Sequence, residues 1–500
     1  MKRIRVIIAS ALLLLPLLVS GQNMDDVLRY SRLFYQGSAR FNAMGGAFTS
    51  LGGDISSIAI NPAGAAVFRS TEFSVTTNML FRNTETTYNG NYSNYGINEF
   101  NLGNAGIVAA GTMGTNSGLV GLSFAYTYNQ TNDFREYAVI EGISGASSMT
   151  DYWAAGADGY NTWELVDYTA APYMAYEAWL IDTLSGSFTE YASIFSYYGD
   201  MNPEYGQRTR RTIDNGGYTG DHTIAFGANI SNILYVGAGF GIQAMQYTGH
   251  YLHSEEDIDN TVPDLVYFNY TDHFDASGTG WNFKAGIIVR PIESLRLGFS
   301  FATPTVYKID EVFYSNLSAL LDNDTPGDSS DDADPLVEQS PLSYAYRITT
   351  PWRFDTGLAL QIGKMALISA DFEYVDYSTA YLSYGLDGYN FFNENEELKS
   401  ELKGAATFKV GAEVRFGSVY VRGGGGYTQS AFREGTLNEN SDFVNFSGGL
   451  GYRQKNFYVD LSVAGQLNSE EYMMYPDAWL EPTYIDNRDI NGALTIGVKF

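Results

Sequence analysis

Segments in which every second residue is apolar recur along most of this 500-residue chain, separated by connections that alternate between very short and very long. In 405–417, Ala406, Phe408, Val410, Ala412, Val414 and Phe416 alternate with Thr407, Lys409, Gly411, Glu413, Arg415 and Gly417. The stretches 281–290 and 457–467 repeat the pattern, with Lys284, Arg290 and Asp460 on the polar side. A period of two is that of a β-strand with one oily face. About fourteen such segments fall near 71–81, 98–112, 118–129, 220–230, 233–247, 278–290, 294–308, 344–361, 365–380, 404–416, 418–429, 442–454, 456–467 and 491–500. Each is long enough for a tilted membrane crossing of about 9–11 residues. Tight links are expected at Gly114-Thr115-Asn116, Ser231-Asn232, Pro291-Ile292-Glu293, Gly363-Lys364, Gly417 and Gln454-Lys455. Long polar loops are expected at 82–97, 130–219, 248–277, 309–343, 381–403, 430–441 and 468–490. A soluble sandwich shares the alternation but has no reason to gather every long loop at one end. The pattern therefore predicts a transmembrane antiparallel β-barrel spanning 71–500, with short periplasmic turns and long extracellular loops.

Composition agrees. Gly 53, Tyr 39 and Phe 30 suit strands, turns and aromatic girdles better than helical bundles. No apolar run after the leader reaches the roughly 20 residues of a membrane helix. Residues 1–21 read as a cleaved signal peptide: Lys2, Arg3 and Arg5 precede an apolar core over 6–19, and Val19-Ser20-Gly21 supplies small residues at the cleavage position. With no cysteine, disulfides, thiolate metal sites and a lipid-modified cysteine are excluded. The formal charge of −28, or −31 once the three basic residues of the leader are gone, excludes nucleic acid as a partner. A barrel whose last strand pairs with its first leaves no open edge, and Phe500 on the final strand resembles the C-terminal signal read by the barrel assembly machinery.

Residues 22–70 break the alternation. They are rich in Gly, Ala and Ser, with a helix expected over 25–34 and short helical turns near Ser56-Ser57 and Asn61-Pro62. A wide barrel leaves a lumen to fill, and this segment is expected to fill it. Gly45 and Gly46 permit positive φ and close approach to a wall; Asn61 can start a turn that Pro62 fixes.

The stretch "GSARFNAMGGAFTSLGGDISSIAINPAGAAVF" resembles the hatch of FadL-type long-chain fatty-acid channels, a family that includes the toluene and xylene channels. Ala39, Phe41 and Met44 with Gly45-Gly46 match its Gly-rich run, and Asn61-Pro62-Ala63 its "N-P-A" motif. "LRLGFSFATPTVY" and "TTPWRFDTGLALQIGKMALISADFEYVDYS" resemble hairpins of the same family. The resemblance implies a fourteen-stranded barrel with an N-terminal hatch in the outer membrane of a Gram-negative cell. It also implies passive uptake of hydrophobic small molecules through a loop-built apolar pocket, past the hatch, and sideways into membrane lipid.

Other features have plainer readings beside the functional ones. In "YMAYEAWLIDTL", Tyr173, Tyr176, Trp179 and Leu180 stand at helical spacing and are candidates for lining a ligand entry, or for packing a loop helix on the barrel mouth. His250 and His253 could touch haem or zinc, but no third ligand lies near in sequence. The tract 322–335 mimics a calcium loop with Pro326 and Ala333 at ligand positions, and reads as a solvated tip. The glycines of 422–426 sit within a strand and read as a wall approached by the hatch. Lys284, Arg290, Arg296, Arg353, Asp355, Lys409, Glu413, Arg415, Arg422, Arg453 and Asp460 are expected to line the lumen. No catalytic constellation, cofactor or metal site emerges, so the expectation is a monomeric channel and no enzyme. The rival is a surface receptor or adhesin, binding haem or a cell partner through its Tyr-rich loops.

Overall fold

The computed structural model describes residues 24–113, 118–168, 170–196, 205–259, 262, 264–322, 332–385, 388–477 and 480–500. The signal peptide, the Gly114-Thr115-Asn116 link and most of the acidic tract lie outside these residues.

Fourteen antiparallel strands close on themselves. They are β1 Glu72–Tyr88, β2 Asn91–Thr112, β3 Leu119–Asp133, β4 Arg208–Ile230, β5 Leu234–Glu256 and β6 Leu265–Ile292. Then come β7, in two parts Leu295–Ala302 and Val306–Leu321, and β8, in two parts Leu342–Thr349 and Arg353–Ile362. The circuit finishes with β9 Ala366–Asp376, β10 Gly404–Phe416, β11 Val419–Thr428, β12 Phe443–Arg453, β13 Phe457–Tyr472 and β14 Thr483–Lys499. Each strand pairs with the next, and β14 pairs with β1 from Lys499↔Glu72 to Tyr484↔Thr87. Phe500 N–H donates to Thr71 O at 2.9 Å, so the last residue still belongs to the seam.

The alternation resolves as the sequence implies. On β10 and β13, Phe408, Val410, Leu461 and Val463 are 49–59% exposed on the outer wall, whereas Glu413 and Asp460 of the same strands are buried inside. No helix among the described residues is long and apolar enough to cross a membrane. An outer wall of this oiliness around a polar interior has one compatible solvent, a lipid bilayer.

The strands run further than their oily faces. The long loop expected at 82–97 is a hairpin: β1 and β2 pair out to Tyr88↔Asn91 around Asn89-Gly90, whose φ of 45° and 79° suit a two-residue turn. Much of 248–277 is likewise strand. Above the bilayer both faces meet water or loops, so pairing continues without apolar alternation. Conversely, β7 and β8 break where the sequence predicts continuous strands, at Thr303-Pro304-Thr305 and Thr350-Pro351-Trp352. Proline cannot donate to a ladder. The breaks face each other and are bridged by Thr350 N–H to Thr305 O at 3.0 Å and Thr305 N–H to Thr350 Oγ1 at 2.9 Å. At this level the exposed Trp352 ring packs with Phe301 and Phe354.

Between β3 and β4 the chain builds a cap over the long-loop end. The strand Glu136–Ile143 pairs with β4, followed by helices at Met149–Ala157, Leu165–Tyr168 and Ala170–Glu177. Ser148 and Asp151 form a capping box on the first of these. The buried Glu255 of β5 accepts from Met149 N–H at 2.8 Å and Ser148 Oγ at 2.7 Å, tying the cap to the barrel.

Candidate functional site

Residues 24–68 lie inside the barrel. They comprise a helix at Met24–Ser31, a short one at Ala39–Ala43, and 3-10 turns at Ser56–Ala59 and Pro62–Val67. The first helix is shorter than the 25–34 expected. The wall makes room by giving up side chains. A Cβ on Gly106, Gly227, Gly237, Gly286, Gly298, Gly411, Gly424 or Gly449 would collide with Ile55, Ala66, Ala63, Asn61, Thr49, Met44, Met44 and Ala43 in turn. These glycines come from eight strands. The role read for the glycines of 422–426 therefore holds at Gly424.

Polar bonds complete the seating. Ala39 N–H donates to Thr495 Oγ1 at 2.7 Å, Gly45 N–H to Ser447 Oγ at 3.2 Å and Thr49 N–H to Asp371 Oδ2 at 2.7 Å. Ser369 Oγ donates to Ala47 O at 2.7 Å, and Arg296 to Leu51 O at 2.6 Å. Gly45 and Gly46 both take positive φ, 62° and 74°. Phe41 is buried against Phe48, ring centroids 5.4 Å apart, and Met44 is fully buried. Asn61 Oδ1 accepts from Ala63 N–H at 3.0 Å, while its Nδ2 donates to Thr49 O at 2.7 Å. Pro62 and Ala63 press on Gly237 of β5. All the residues singled out in this segment thus meet the wall or hold the turns that meet it.

An ion-pair chain pins the same segment. Arg40 grips Glu413 with Nε at 3.0 Å and Nη2 at 3.2 Å. Glu413 also accepts from Arg422 at 2.6 Å, Arg422 reaches Asp460 at 2.7 Å, and Arg453 reaches Asp460 at 2.8 Å. Elsewhere in the lumen Lys284 pairs with Asp221, and Arg353 and Lys409 share Glu373. Asp355 is buried as well. Burial pushes the Asp54 carboxyl above the usual range, against the pull of Arg40 and the Ser38 hydroxyl. Arg290 and Arg415 lie on the same strand faces as Lys284 and Glu413 but at the short-turn end, where they bond the carbonyls of Glu293 and Gly417; Arg415 also packs on the Tyr420 ring that Arg422 and Arg453 share. Arg40, Asp221, Asp371 and Glu373 escape the sequence reading. Asp371 and Glu373 carry a signal, since they alternate with the outward rings of Phe372 and Tyr374. Asp221, between Gly220 and His222, has no such flanks.

Among the described residues, β2 and β3 are unpaired over part of their length. Their ladder runs from Thr112↔Gly121 to Asn104↔Asn129 and stops, although β2 continues to Asn91 against β1. Beyond Asn129 the β3 backbone turns to the N-terminal segment: Phe34 N–H donates to Thr131 O at 2.7 Å and Gln36 N–H to Gln130 O at 2.8 Å. Asn132 Nδ2 donates to Arg32 O at 2.7 Å. Side chains span the space, with Asn101 Nδ2 on Asp133 Oδ2 at 3.1 Å and Asn78 Nδ2 on Gln36 Oε1 at 2.9 Å. The gap is held by side chains and the N-terminal segment, not by a ladder.

Two apolar clusters stand above. Val27, Leu28 and Tyr30 of the first helix pack with Tyr307, Ile309, Tyr346, Ile348 and Phe391 in the lumen. Arg29 lies 4.2 Å from the Tyr247 ring, and Tyr247 bonds Tyr251 at 2.7 Å, leading up to the cap. The cap cluster buries Trp153 against Phe268 and Tyr270, at 5.5 and 5.1 Å. Of the expected entry stripe, Leu180 is buried in that cluster and Tyr173 and Tyr176 pack at its edge. Trp179 is 61% exposed: the helix ends at Glu177, and Trp179 takes a left-handed φ of 59° that turns it outward. His253 is buried and bonded to Glu255, whereas His250 is exposed and packs on His273, so the two histidines do not converge. No group of three or more His, Asp or Glu among the described residues is placed to hold a metal ion.

Residues 18–99 match the model of an uncharacterised protein family, UPF0164. No curated protein matches the sequence. The structure is similar to that of a FadL homologue of Pseudomonas aeruginosa, with TM-score 0.55 and 13% identity over 93% of this chain and 98% of that one. It is similar also to the toluene transporter TodX of Pseudomonas putida, with TM-score 0.52 and 13% identity over 93% and 98%. At that identity the likeness is one of fold. Joined to the oily outer wall and the closed circuit of strands, it makes the chain an outer-membrane β-barrel with the fold of the FadL-type channels.

Proposed function

We propose that this barrel is a channel for passive uptake of hydrophobic small molecules, long-chain fatty acids or compounds of similar polarity. Residues 22–70 act in it as a hatch within the barrel of 71–500. The observation that carries the reading is the gap between β2 and β3, where the N-terminal segment occupies the β3 hydrogen-bonding edge that β2 leaves free. An apolar solute crossing a water-filled pore would have to be re-solvated before reaching lipid. A side exit at bilayer level avoids that step. The apolar clusters under the cap and around the first helix supply the surface on which such a solute would arrive, with Tyr173, Tyr176 and Leu180 at its upper edge. Ala39, Phe41, Met44, Gly45, Gly46 and Asn61-Pro62-Ala63 anchor the hatch, and the stretch after the first helix carries it to the gap.

The test is uptake of labelled oleate into proteoliposomes by the intact protein and by the double variant Asn101→Cys with Asp133→Cys. The chain has no cysteine of its own, so oxidation would bridge the gap selectively. Slower uptake when oxidised and recovery on reduction are expected; uptake equal to protein-free vesicles would overturn the reading. The receptor or adhesin alternative draws on exposed Trp163, Trp179 and Phe188 of the cap. Replacing 149–196 with a short linker, which spares β3 and β4, separates the two: binding lost with oleate uptake unchanged would favour the receptor, whereas slower uptake is expected of the channel.

A further inference from the structure

The outer wall is not evenly convex. At one level, five neighbouring strands present Gly448, Val463, Gly492, Met79 and Phe100 in a row, set by the registers Gly448↔Val463, Val463↔Gly492, Gly492↔Met79 and Met79↔Phe100. The two glycines leave a depression of about 460 Å³, bounded below by Leu450, Leu461 and Leu494 and at one side by Phe100. Phe100 is 66% exposed and Val463 59%. The lining is apolar, and the groove faces the bilayer, so only hydrocarbon can fill it without desolvation cost.

Its position ties it to the gap. Phe100 stands on β2 four residues above Asn104, where the β2–β3 ladder ends. One side of Phe100 looks onto the groove; beyond β2 on the other lies the unpaired stretch. We infer that the groove receives the hydrocarbon tail of the molecule leaving through the gap, so that the channel favours single-chain amphiphiles over compact ring compounds. This rests on the transport reading above. At about 30 Å³ per water-sized group, the volume corresponds to roughly fifteen such groups, the bulk of one long alkyl chain. A two-chain lipid would have to part its tails to seat one of them, and ordering the second tail carries an entropic cost.

The experiment uses the full-length protein in nanodiscs with two photoreactive probes, a diazirine palmitate and a diazirine phosphatidylethanolamine, and maps cross-links by mass spectrometry. Palmitate cross-links should concentrate several-fold at Met79, Leu450, Val463 and Leu494 relative to Leu358 and Ile368 on another part of the wall. The phosphatidylethanolamine probe should show no such preference. Gly492→Leu, which fills the groove without touching the lumen, should remove the preference and slow oleate uptake. Even labelling around the wall, or equal enrichment of both probes, overturns the groove assignment. Cross-links between two copies of the chain at these residues would instead make it a barrel–barrel contact and also overturn it. Since palmitate can be supplied within the bilayer, groove binding is read even if transport fails, and transport is read even if the groove is empty.

Discussion

Removing one guanidinium tests whether the N-terminal segment is a seated body or merely collapsed chain. Arg40→Ala deletes a two-point grip on Glu413, at 3.0 and 3.2 Å, between side chains that are only 11% and 8% exposed. Breaking a buried ion pair costs about 3–5 kcal/mol when a partner is stranded. Glu413 is not stranded, because Arg422 still holds it at 2.6 Å. The lower end therefore applies, about 3 kcal/mol. At about 1.4 kcal/mol per factor of ten, that raises the population of the detached segment by about two orders of magnitude. Hydrogen exchange reads it directly. The amides of Ala39 and Thr49, bonded to Thr495 and Asp371 on separate parts of the wall, should exchange about 100-fold faster. Amides in the β4–β5 ladder should not change. Unaltered exchange at both reporters would refute the claim that this ion-pair chain anchors the segment, and uniform acceleration across the barrel would show that it anchors the wall instead.

Gly424→Ala should loosen the segment and raise bilayer conductance, because the new methyl would overlap Met44; Gly423→Ala, with its nearest neighbour 3.8 Å away, should behave as wild type. Asn61→Ala removes a turn cap and a bond to Thr49 O, and should lower protection of 62–67 by about 1–2 kcal/mol in the same exchange experiment. Leu180→Ala should destabilise the cap by about 2–5 kcal/mol, seen as faster thermolysin cleavage of 149–196, whereas Trp179→Ala should leave it intact. Phe500→Ala should reduce assembled barrel in cells while leaving the thermal stability of refolded protein nearly unchanged, given the 77% exposure of that residue; an unaltered cellular yield would exclude the assembly-signal role.

How much of this is legible in the sequence depends on where a residue's constraint originates. The bounds of β10, 404–416, can be read to the residue, because bilayer outside and lumen inside impose opposite demands on successive side chains. That contrast vanishes above the membrane, where 82–97 reads as loop although Asn89-Gly90 announces a hairpin. The breaks at Pro304 and Pro351 are visible as prolines, but only their facing positions explain why the sheet tolerates both. In the N-terminal segment the glycines and Asn61 are legible from backbone chemistry. Arg40 is not, because its partner lies 373 residues away and nothing local names it. Trp179 misleads for a related reason: helical spacing says which residues share a face only while the helix lasts.

The wall glycines carry a consequence for biogenesis. A tube whose inner surface is moulded around Ile55, Asn61, Thr49 and Met44 on so many staves offers no single doorway through which that shape could be pushed afterwards. The segment must be in place while the sheet is still an open curl, before the circuit of strands closes around it.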